Sequence, residues 1–368
     1  MYRLQIWKLA SVAVFACALA NAQKITTFSA PGAGTGAGQG TGGFGINPQG
    51  TVVGSYVDNG NVFHGFQCVS GCASKRTFST FNAPGAGTAA SQGTITFSIN
   101  LFGVIVGYDI DANNVAHGFV TAAPFKKFIT LTDPDAGTGA GQGTFAGNVN
   151  PEGEIAGYYV DGNNVAHGFV TSPPYRMFTS FDPEGSANTL TAVASALNLE
   201  GSLAGTYFDA SGAAHGYVRH ADGTISEYNV KGAGTGSGQG TEGASISDLG
   251  VSTGNYIDSN GVNHGFVRSR FGVINTFNVK GAGTASGQGT FPEGIDFWGG
   301  ITGQWIDPHG VNHGFVRKPH GAITTFDAPG AGSASGQGTI PETPNVYGLI
   351  TGQYIDANNL HIGFLRTP

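Results

Sequence analysis

Residues 238–284 read GQGTEGASISDLGVSTGNYIDSNGVNHGFVRSRFGVINTFNVKGAGT, and residues 287–333 repeat the pattern as GQGTFPEGIDFWGGITGQWIDPHGVNHGFVRKPHGAITTFDAPGAGS. The segment occurs seven times, and its firmest anchor is the glycine of an HGF-like tripeptide. The anchors are Gly65, Gly118, Gly168, Gly216, Gly265, Gly314 and Gly363. Successive anchors are 53, 50, 48, 49, 49 and 49 residues apart. Self-similarity at this period is typical of a propeller or repeat array and not of a conventional enzyme core.

Composition narrows the fold class further. Glycine accounts for 63 of the 368 residues, which is too many for a helical protein, and the Gly-X-Y period of collagen is missing. The 25 Phe and 12 Tyr residues supply enough apolar surface for a core, so the chain need not be disordered. We therefore predict an all-β fold in which glycines mark turns and close approaches of the backbone.

Each repeat contains signals for four short strands. In the copy that begins at Gly238, the segments 244–247, 251–258, 262–268 and 273–279 are rich in β-branched and aromatic residues and are separated by turns that contain glycine. A longer Gly-rich connector follows the fourth strand. The pattern predicts blades of four antiparallel strands, and the copy number predicts a seven-bladed β-propeller.

The ends of the chain predict how such a ring would close. Residues 25–28 (ITTF) match a fourth strand, whereas residues 363–366 (GFLR) match a third strand. The N-terminal strand therefore has no blade of its own, and we expect it to join the C-terminal blade. This closure would remove exposed sheet edges.

The first 22 residues have the features of a signal peptide. Arg3 and Lys8 precede a short apolar segment, and Ala20-Asn21-Ala22 offers small residues at a cleavage site. We expect residues 23–368 to form one secreted domain, extracellular or periplasmic. A retained membrane anchor and lipidation at Cys17 are the alternatives. No later segment is apolar for long enough to span a membrane.

Charge and cysteine content restrict the partners. The formal charge is −7 and there is no basic run, which argues against nucleic acid and anionic membranes. Cys68 and Cys72 are the two cysteines outside the signal segment, and export favours a disulfide between them. A metal site is disfavoured because two thiolates without further His or Cys ligands do not complete a tetrahedral site.

An aspartate and a histidine recur six residues apart. The pairs are Asp58 and His64, Asp111 and His117, Asp161 and His167, Asp209 and His215, Asp258 and His264, and Asp307 and His313, and Asp356 recurs without the histidine. We predict structural hydrogen bonds, because six identical pairs would mean six equivalent active sites and no nucleophile recurs beside them. We expect no cofactor, although DIDAN at 109–113 leaves calcium as an alternative to a plain turn.

If the recurring residues build the scaffold, functional residues are expected where the repeats differ. Glu242, Glu293 and Glu342 stand on or near the first strand of the last three repeats, where they could form an acidic arc at a channel mouth. Glu242 is a candidate ligand-binding residue, and Glu293 and Glu342 are candidates for a glycosidase-like pair. Solvated carboxylates in a wet channel are the alternative.

One position of the repeat is arginine in the last four repeats and is not basic in the first three. The arginines are Arg219, Arg268, Arg317 and Arg366, and the equivalent residues of the first three repeats are Cys68, Thr121 and Thr171. The four arginines predict a basic arc on the face opposite the connectors. This arc could bind carboxylates of a uronate polymer or a protein. Ordinary surface pairing with acids is the alternative.

The core of the repeat also has a family resemblance. It has the form IN-x-x-G followed by HGF, as in residues 46–66 and 99–120. This resembles the extracellular HAF repeat, and the similarity spans nearly all of residues 23–368. The chain departs from that family in having HGF for HAF and in its GAGTxxGQGT connectors. The resemblance implies a secreted, propeller-like protein.

These observations favour a secreted β-propeller that acts as a binding or interaction module, with a carbohydrate or a cell-surface partner as ligand. Export, Asn-rich turns and aromatic residues such as Trp298 and Trp305 motivate this hypothesis. A polysaccharide hydrolase or lyase that uses Glu293 and Glu342 is the first alternative. A structural protein of the envelope or matrix is the second.

Overall fold

The computed structural model describes residues 24–72, 77–191 and 196–368. The predicted signal peptide, its cleavage site and Cys17 lie outside these residues. The described chain forms 28 β-strands and one short 3-10 helix, Ser70–Cys72. No helix in the described ranges has the length and hydropathy needed to cross a membrane.

The strands fall into antiparallel groups of four, which we call units 1 to 7 in chain order. Unit 1 consists of β2 (Gly40–Ile46), β3 (Val52–Val57), β4 (Phe63–Cys68) and β5 (Phe78–Phe81). Unit 2 consists of β6 (Gly93–Ile99), β7 (Ile105–Ile110), β8 (Ala116–Thr121) and β9 (Phe128–Leu131). Unit 3 consists of β10 (Gly143–Val149), β11 (Ile155–Val160), β12 (Ala166–Thr171) and β13 (Phe178–Phe181). Units 4 and 5 are β14 (Asn188–Thr191), β15 (Leu203–Phe208), β16 (Ala214–Arg219), β17 (Ile225–Tyr228); and β18 (Gly240–Ile246), β19 (Ser252–Ile257), β20 (Asn263–Arg268), β21 (Ile274–Phe277). Units 6 and 7 are β22 (Gly289–Ile295), β23 (Ile301–Ile306), β24 (Asn312–Arg317), β25 (Ile323–Phe326); and β26 (Gly338–Pro344), β27 (Ile350–Ile355), β28 (His361–Thr367), β1 (Lys24–Phe28).

The first strand of a unit begins earlier than its β-branched run predicts. In unit 5, β18 starts at Gly240, four residues before the predicted segment, and its register with β19 shifts between Gly243 and Ser245. Gly240 has a φ of 121°, and a Cβ atom there would lie 2.1 Å from the carbonyl oxygen of Ala214. Glycine is therefore required at this position, where β18 meets β16 of the preceding unit.

The anchor glycine of the HGF-like tripeptide lies beneath an aromatic ring in six units and beneath Leu131 in unit 2. In unit 1, a Cβ atom at Gly65 would lie 2.6 Å from the ring of Phe81, the last residue of the fourth strand. In unit 7, a Cβ atom at Gly363 would lie 2.2 Å from the ring of Phe28. The phenylalanine after the glycine then packs edge-on against the fourth strand of the preceding unit, as Phe119 does against Phe81 at 6.4 Å. The recurring HGF sequence thus forms the core between neighbouring units.

The N-terminal strand pairs with the C-terminal strand. β1 and β28 are antiparallel, with Lys24 opposite Thr367 and Phe28 opposite Gly363. Phe28 is 5% exposed and packs against Phe66 of unit 1 at 6.1 Å between ring centroids. The ends of the chain are therefore joined within unit 7.

Side-chain amides link the units at the turns between first and second strands. Asn100 Nδ2 donates to the carbonyl oxygen of Asn150 (2.9 Å), and Asn345 Nδ2 donates to that of Asn47 (2.9 Å). The Oδ1 atom of Asn100 accepts a hydrogen bond from Val104 N within its own turn (3.0 Å). The asparagine of the IN-x-x-G sequence thus connects its own turn to the neighbouring unit, and the last unit to the first.

Candidate functional site

One cavity of about 180 Å³, which we call the central cavity, is lined by residues of all seven units, in six of them at or just after the end of the first strand. Residues that line it, one from each unit, are Ile46, Phe97, Val149, Leu197, Ile246, Ile295 and Asn345. A cavity lined by every unit is the natural place for a ligand site, because it collects side chains from distant parts of the chain.

The three predicted acidic residues lie on the first strands of units 5 to 7. Burial and the nearby Glu242 carboxylate raise the pKa of Glu293 to about 8. Burial and the charge of Glu293 raise the pKa of Glu342 well above its usual value. Asn255 Nδ2 donates to Glu242 Oε2 at 2.8 Å. The structure thus brings Glu242, Glu293 and Glu342 close enough to interact, and burial together with repulsion favours protonation of Glu293 or Glu342 near neutral pH.

Aromatic side chains form a continuous row in units 1 to 3. Phe44 packs against the cavity-lining Phe97, Phe97 against Tyr108, Tyr108 against Phe145, and Phe145 against Tyr158. Ring centroids along the row are 4.8 to 5.7 Å apart. All five side chains keep partial solvent exposure. The acidic side chains therefore lie on the first strands of units 5 to 7, and the aromatic row lies on first and second strands of units 1 to 3.

Large apolar side chains surround the cavity entrance. The turns between first and second strands expose Phe102 (74%), Trp298 (67%) and Tyr347 (68%) to solvent. Phe297 and Val346, which precede two of them, line the cavity itself. Exposed apolar residues grouped at a cavity rim are typical of a ligand or partner site. Sequence reasoning named Trp298 and missed the other two, although all three occupy the same turn of the repeat.

The four arginines do not form an exposed basic arc, which corrects the expectation from sequence. Arg219, Arg268 and Arg366 are 7%, 9% and 9% exposed. Each guanidinium lies 4.9 to 5.1 Å from the centroid of an aromatic ring on the fourth strand of the preceding unit. The stacked pairs are Arg219 with Phe181, Arg268 with Tyr228, Arg317 with Phe277 and Arg366 with Phe326. The arginines thus stack between units, where little guanidinium surface is left for a ligand.

This placement predicts a stability role for the arginines. We expect Arg268→Thr, which installs the residue found in units 2 and 3, to lower the free energy of unfolding by about 1–2 kcal/mol. Arg270→Ala is the matched control, because Arg270 is exposed and stacks on the exposed Phe271. Urea denaturation measures both variants. Equal stabilities of the two variants would contradict the assignment.

The recurring aspartates and histidines form one repeated contact. Asp58 Oδ1 accepts hydrogen bonds from Gly60 N (2.7 Å) and Val62 N (3.0 Å) of its own turn, and those hydrogen bonds lower the pKa of Asp58. Its Oδ2 atom lies 3.1 Å from His64 Nε2. The equivalent distances in the other five pairs are 3.2 to 3.9 Å. The aspartate therefore closes its own turn and links it to the histidine in every unit that has the pair.

Two further sequence predictions concern cysteines and metals. The structure pairs Cys68 with Cys72 as a disulfide. In the DIDAN segment, Asp111 Oδ1 accepts hydrogen bonds from Asn113 N and Val115 N, so this oxygen closes the turn. Within the described ranges, no three His, Cys, Asp or Glu side chains are grouped to hold a metal ion.

Solved structures provide the comparison with known proteins. The chain is similar to the BP39L lectin from Burkholderia pseudomallei, with a TM-score of 0.52, 9% identity, and coverage of 86% of this chain and 95% of the lectin. It also matches TolB from Acinetobacter baumannii (TM-score 0.43, 11% identity, coverage 86% and 80%) and a puromycin hydrolase (TM-score 0.49, 10% identity, coverage 90% and 50%). No family model and no curated protein matches the chain. At 9% identity the likeness to the BP39L lectin shows the fold alone, which is an all-β propeller.

Proposed function

We propose that the protein is a secreted carbohydrate-binding β-propeller whose seven units close into one ring around the central cavity. The observation that carries this proposal is the cavity itself, which receives residues from all seven units, including Phe97 of the aromatic row and the carboxylates Asp248 and Asp296. The pairing of β1 with β28 and the hydrogen bond from Asn345 to Asn47 support closure. The resemblance to HAF repeats and the predicted signal peptide support export.

The two sectors suit a sugar for different reasons. A pyranose has apolar faces that pack against aromatic rings such as Phe97, and hydroxyl groups that donate hydrogen bonds to carboxylates such as Glu242. The exposed Trp298 and Tyr347 extend the aromatic surface to the rim, where a longer oligosaccharide would lie. The buried arginines shift the expected ligand away from uronate polymers, because the charged groups near the cavity are carboxylates.

A second candidate function is polysaccharide hydrolysis. It is favoured by one observation, the raised pKa of Glu293 and Glu342, because a glycosidase pairs a protonated carboxylic acid with an ionised carboxylate. In that case Glu293 and Glu342 would be the acid and its partner. Carboxyl groups with perturbed pKa values are typical of active sites, but they also occur in structural networks of charged groups.

A glycan array separates these functions. We expect the purified protein to retain a neutral oligosaccharide without releasing fragments. Phe97→Ala and the double variant Glu293→Gln/Glu342→Gln should each weaken retention at least about tenfold, a loss of about 1.4 kcal/mol. Met177→Ala is the control, because Met177 is 83% exposed and does not line the cavity.

Three outcomes are informative. Release of fragments that depends on Glu293 and Glu342 would make the protein a hydrolase or lyase. If retention is unchanged in both Phe97→Ala and Glu293→Gln/Glu342→Gln, the ligand site lies elsewhere. If no glycan is retained or cleaved and the protein self-associates, the structural role in the envelope or matrix is favoured.

A further inference from the structure

One position of the repeat is aromatic in six units and acidic in the seventh. It is the fifth residue of the second strand, which pairs directly with the recurring histidine on the third strand. The aromatic residues are Tyr56, Tyr159, Tyr207, Tyr256, Trp305 and Tyr354. In unit 2 the position is occupied by Asp109. The six other units therefore serve as internal references for what Asp109 replaces.

In the five reference units that have the histidine, the aromatic ring covers it, whereas in unit 7 Tyr354 pairs with Ile362. Tyr56 stacks on His64 with 4.8 Å between ring centroids, and Trp305 stacks on His313 at 4.3 Å. Among the described residues, no aromatic ring stacks on His117 of unit 2, and its side chain is 31% exposed against 19% for His64. One face of the His117 imidazole thus lacks the planar group that its counterparts have.

One oxygen of the Asp109 carboxyl group has no hydrogen-bond partner in the described part of the chain. Asp109 is 3% exposed, and its Oδ2 atom forms no hydrogen bond with the described residues. Burial raises the pKa of Asp109 to about 6, although His117 nearby acts in the opposite direction. A buried polar atom without a partner costs free energy and normally has an explanation, such as a ligand.

The surroundings of this carboxyl group favour a cation. Asp111 lies close enough to raise the pKa of Asp109 by charge repulsion, and its Oδ2 atom is 3.3 Å from His117 Nε2. His117 Nδ1 has no hydrogen-bond partner among the described residues, whereas His64 Nδ1 contacts Asn82 Oδ1 at 2.8 Å. Gly85 lies over the carboxyl group: it is exposed, and a Cβ atom there would be 3.3 Å from Asp109 Oδ2. The backbone of a single surface residue therefore separates the carboxyl group from solvent on this side.

We propose that unit 2 contains a guanidinium-binding site formed by Asp109 and His117, distinct from the central cavity. A guanidinium group is planar, so it would stack on the bare face of His117 as the tyrosine ring does in other units. Its N–H groups would donate to the unpartnered oxygen of Asp109. The ligand is an arginine side chain, most simply one in an exposed segment of a partner protein. An ammonium group has the charge but not the planar shape.

The test compares two probes on the purified protein. We expect N-acetyl-arginine methylamide to bind at least about tenfold more tightly than N-acetyl-lysine methylamide by isothermal titration calorimetry, and to shift the imidazole NMR signals of His117. Asp109→Tyr restores the residue of the other units, so this variant should fold, fill the position and abolish binding of the arginine probe. Asp109→Asn, which keeps the size of the side chain, should weaken binding at least about tenfold.

The carboxyl groups of Glu293 and Glu342 provide the control, since they could also attract a cation. Glu293→Gln/Glu342→Gln should leave binding of the arginine probe unchanged. The proposal is overturned by equal affinity for the two probes, by wild-type binding in Asp109→Tyr, by loss of binding in Glu293→Gln/Glu342→Gln alone, or by no binding to the wild-type protein at millimolar probe.

Discussion

Phe28→Ala should lower the free energy of unfolding by about 3–5 kcal/mol, among the largest effects of any single substitution in this protein. Phe28 is 5% exposed, and its ring covers Gly363 of β28 and contacts Phe66 and Phe78 of unit 1. The substitution removes contacts on both sides of the junction between the last and first units, and the anchor glycine beneath the ring has no side chain to fill the space.

Urea denaturation of Phe28→Ala and of the exposed control Phe102→Ala measures this effect. The control should change stability by less than about 0.5 kcal/mol. Removal of residues 24–28 should be more severe, because it leaves β28 as an unpaired edge that invites aggregation. If Phe28→Ala is as stable as Phe102→Ala, β1 does not contribute to the fold as the structure indicates.

The second large effect is a loss of stability between pH 4.5 and pH 8. The pKa of Glu293 is about 8 in the folded protein, against 4.5 for an ordinary glutamate. Below pH 4.5 both the folded and the unfolded states hold the proton, so the folded state is not penalised. As the pH rises to 8, the unfolded state releases the proton first and is stabilised relative to the folded state. Glu342 acts in the same direction.

Glutamine at these positions should remove the part of this pH dependence that comes from Glu293 and Glu342, whereas Asp109, with a pKa of about 6, still contributes. Glu293→Gln and Glu342→Gln are therefore expected to raise the Tm at pH 8 by at least about 2 °C, and to leave it nearly unchanged at pH 4. Glu152→Gln, on an exposed turn of unit 3, is the control and should have no effect at either pH. The turn aspartates, whose pKa values are lowered, lose their contribution only below about pH 4, so they do not obscure this range. A flat pH profile of the wild-type protein would show that the carboxyl groups are solvated.

The repeat period predicts the all-β propeller fold because each copy carries the same strand and turn signals. The period does not reveal why the anchors are glycines, since the ring above Gly65 belongs to Phe81, 16 residues later. The sequence also predicts a start of β18 that is too far along the chain. GQGT resembles a loop, and only the structure shows that Gly240 lies against the backbone of Ala214.

The candidate site could be predicted only in part. Glu242, Glu293 and Glu342 differ between repeats and are recognisable as unusual residues on the first strands. The burial of the arginines depends on a ring from another unit, such as Tyr228 beside Arg268, and this pairing is not visible in one repeat. The substitution of Asp109 for tyrosine is visible once the copies are aligned, yet its missing partner appears only in three dimensions.

Disulfide cross-linking of the two ends tests the central claim, that the N-terminal strand completes the last unit and the seven units surround one cavity. Lys24 and Thr367 are paired across β1 and β28, and directly opposed residues of antiparallel strands have Cα atoms about 4.5–5.5 Å apart, within the range for a disulfide. We predict that Lys24→Cys/Thr367→Cys forms this bond on oxidation of the native protein, as identified by mass spectrometry of the unreduced peptides. Lys24→Cys/Lys318→Cys should not form it. Free thiols, or links only between molecules, in the first variant would contradict closure by β1.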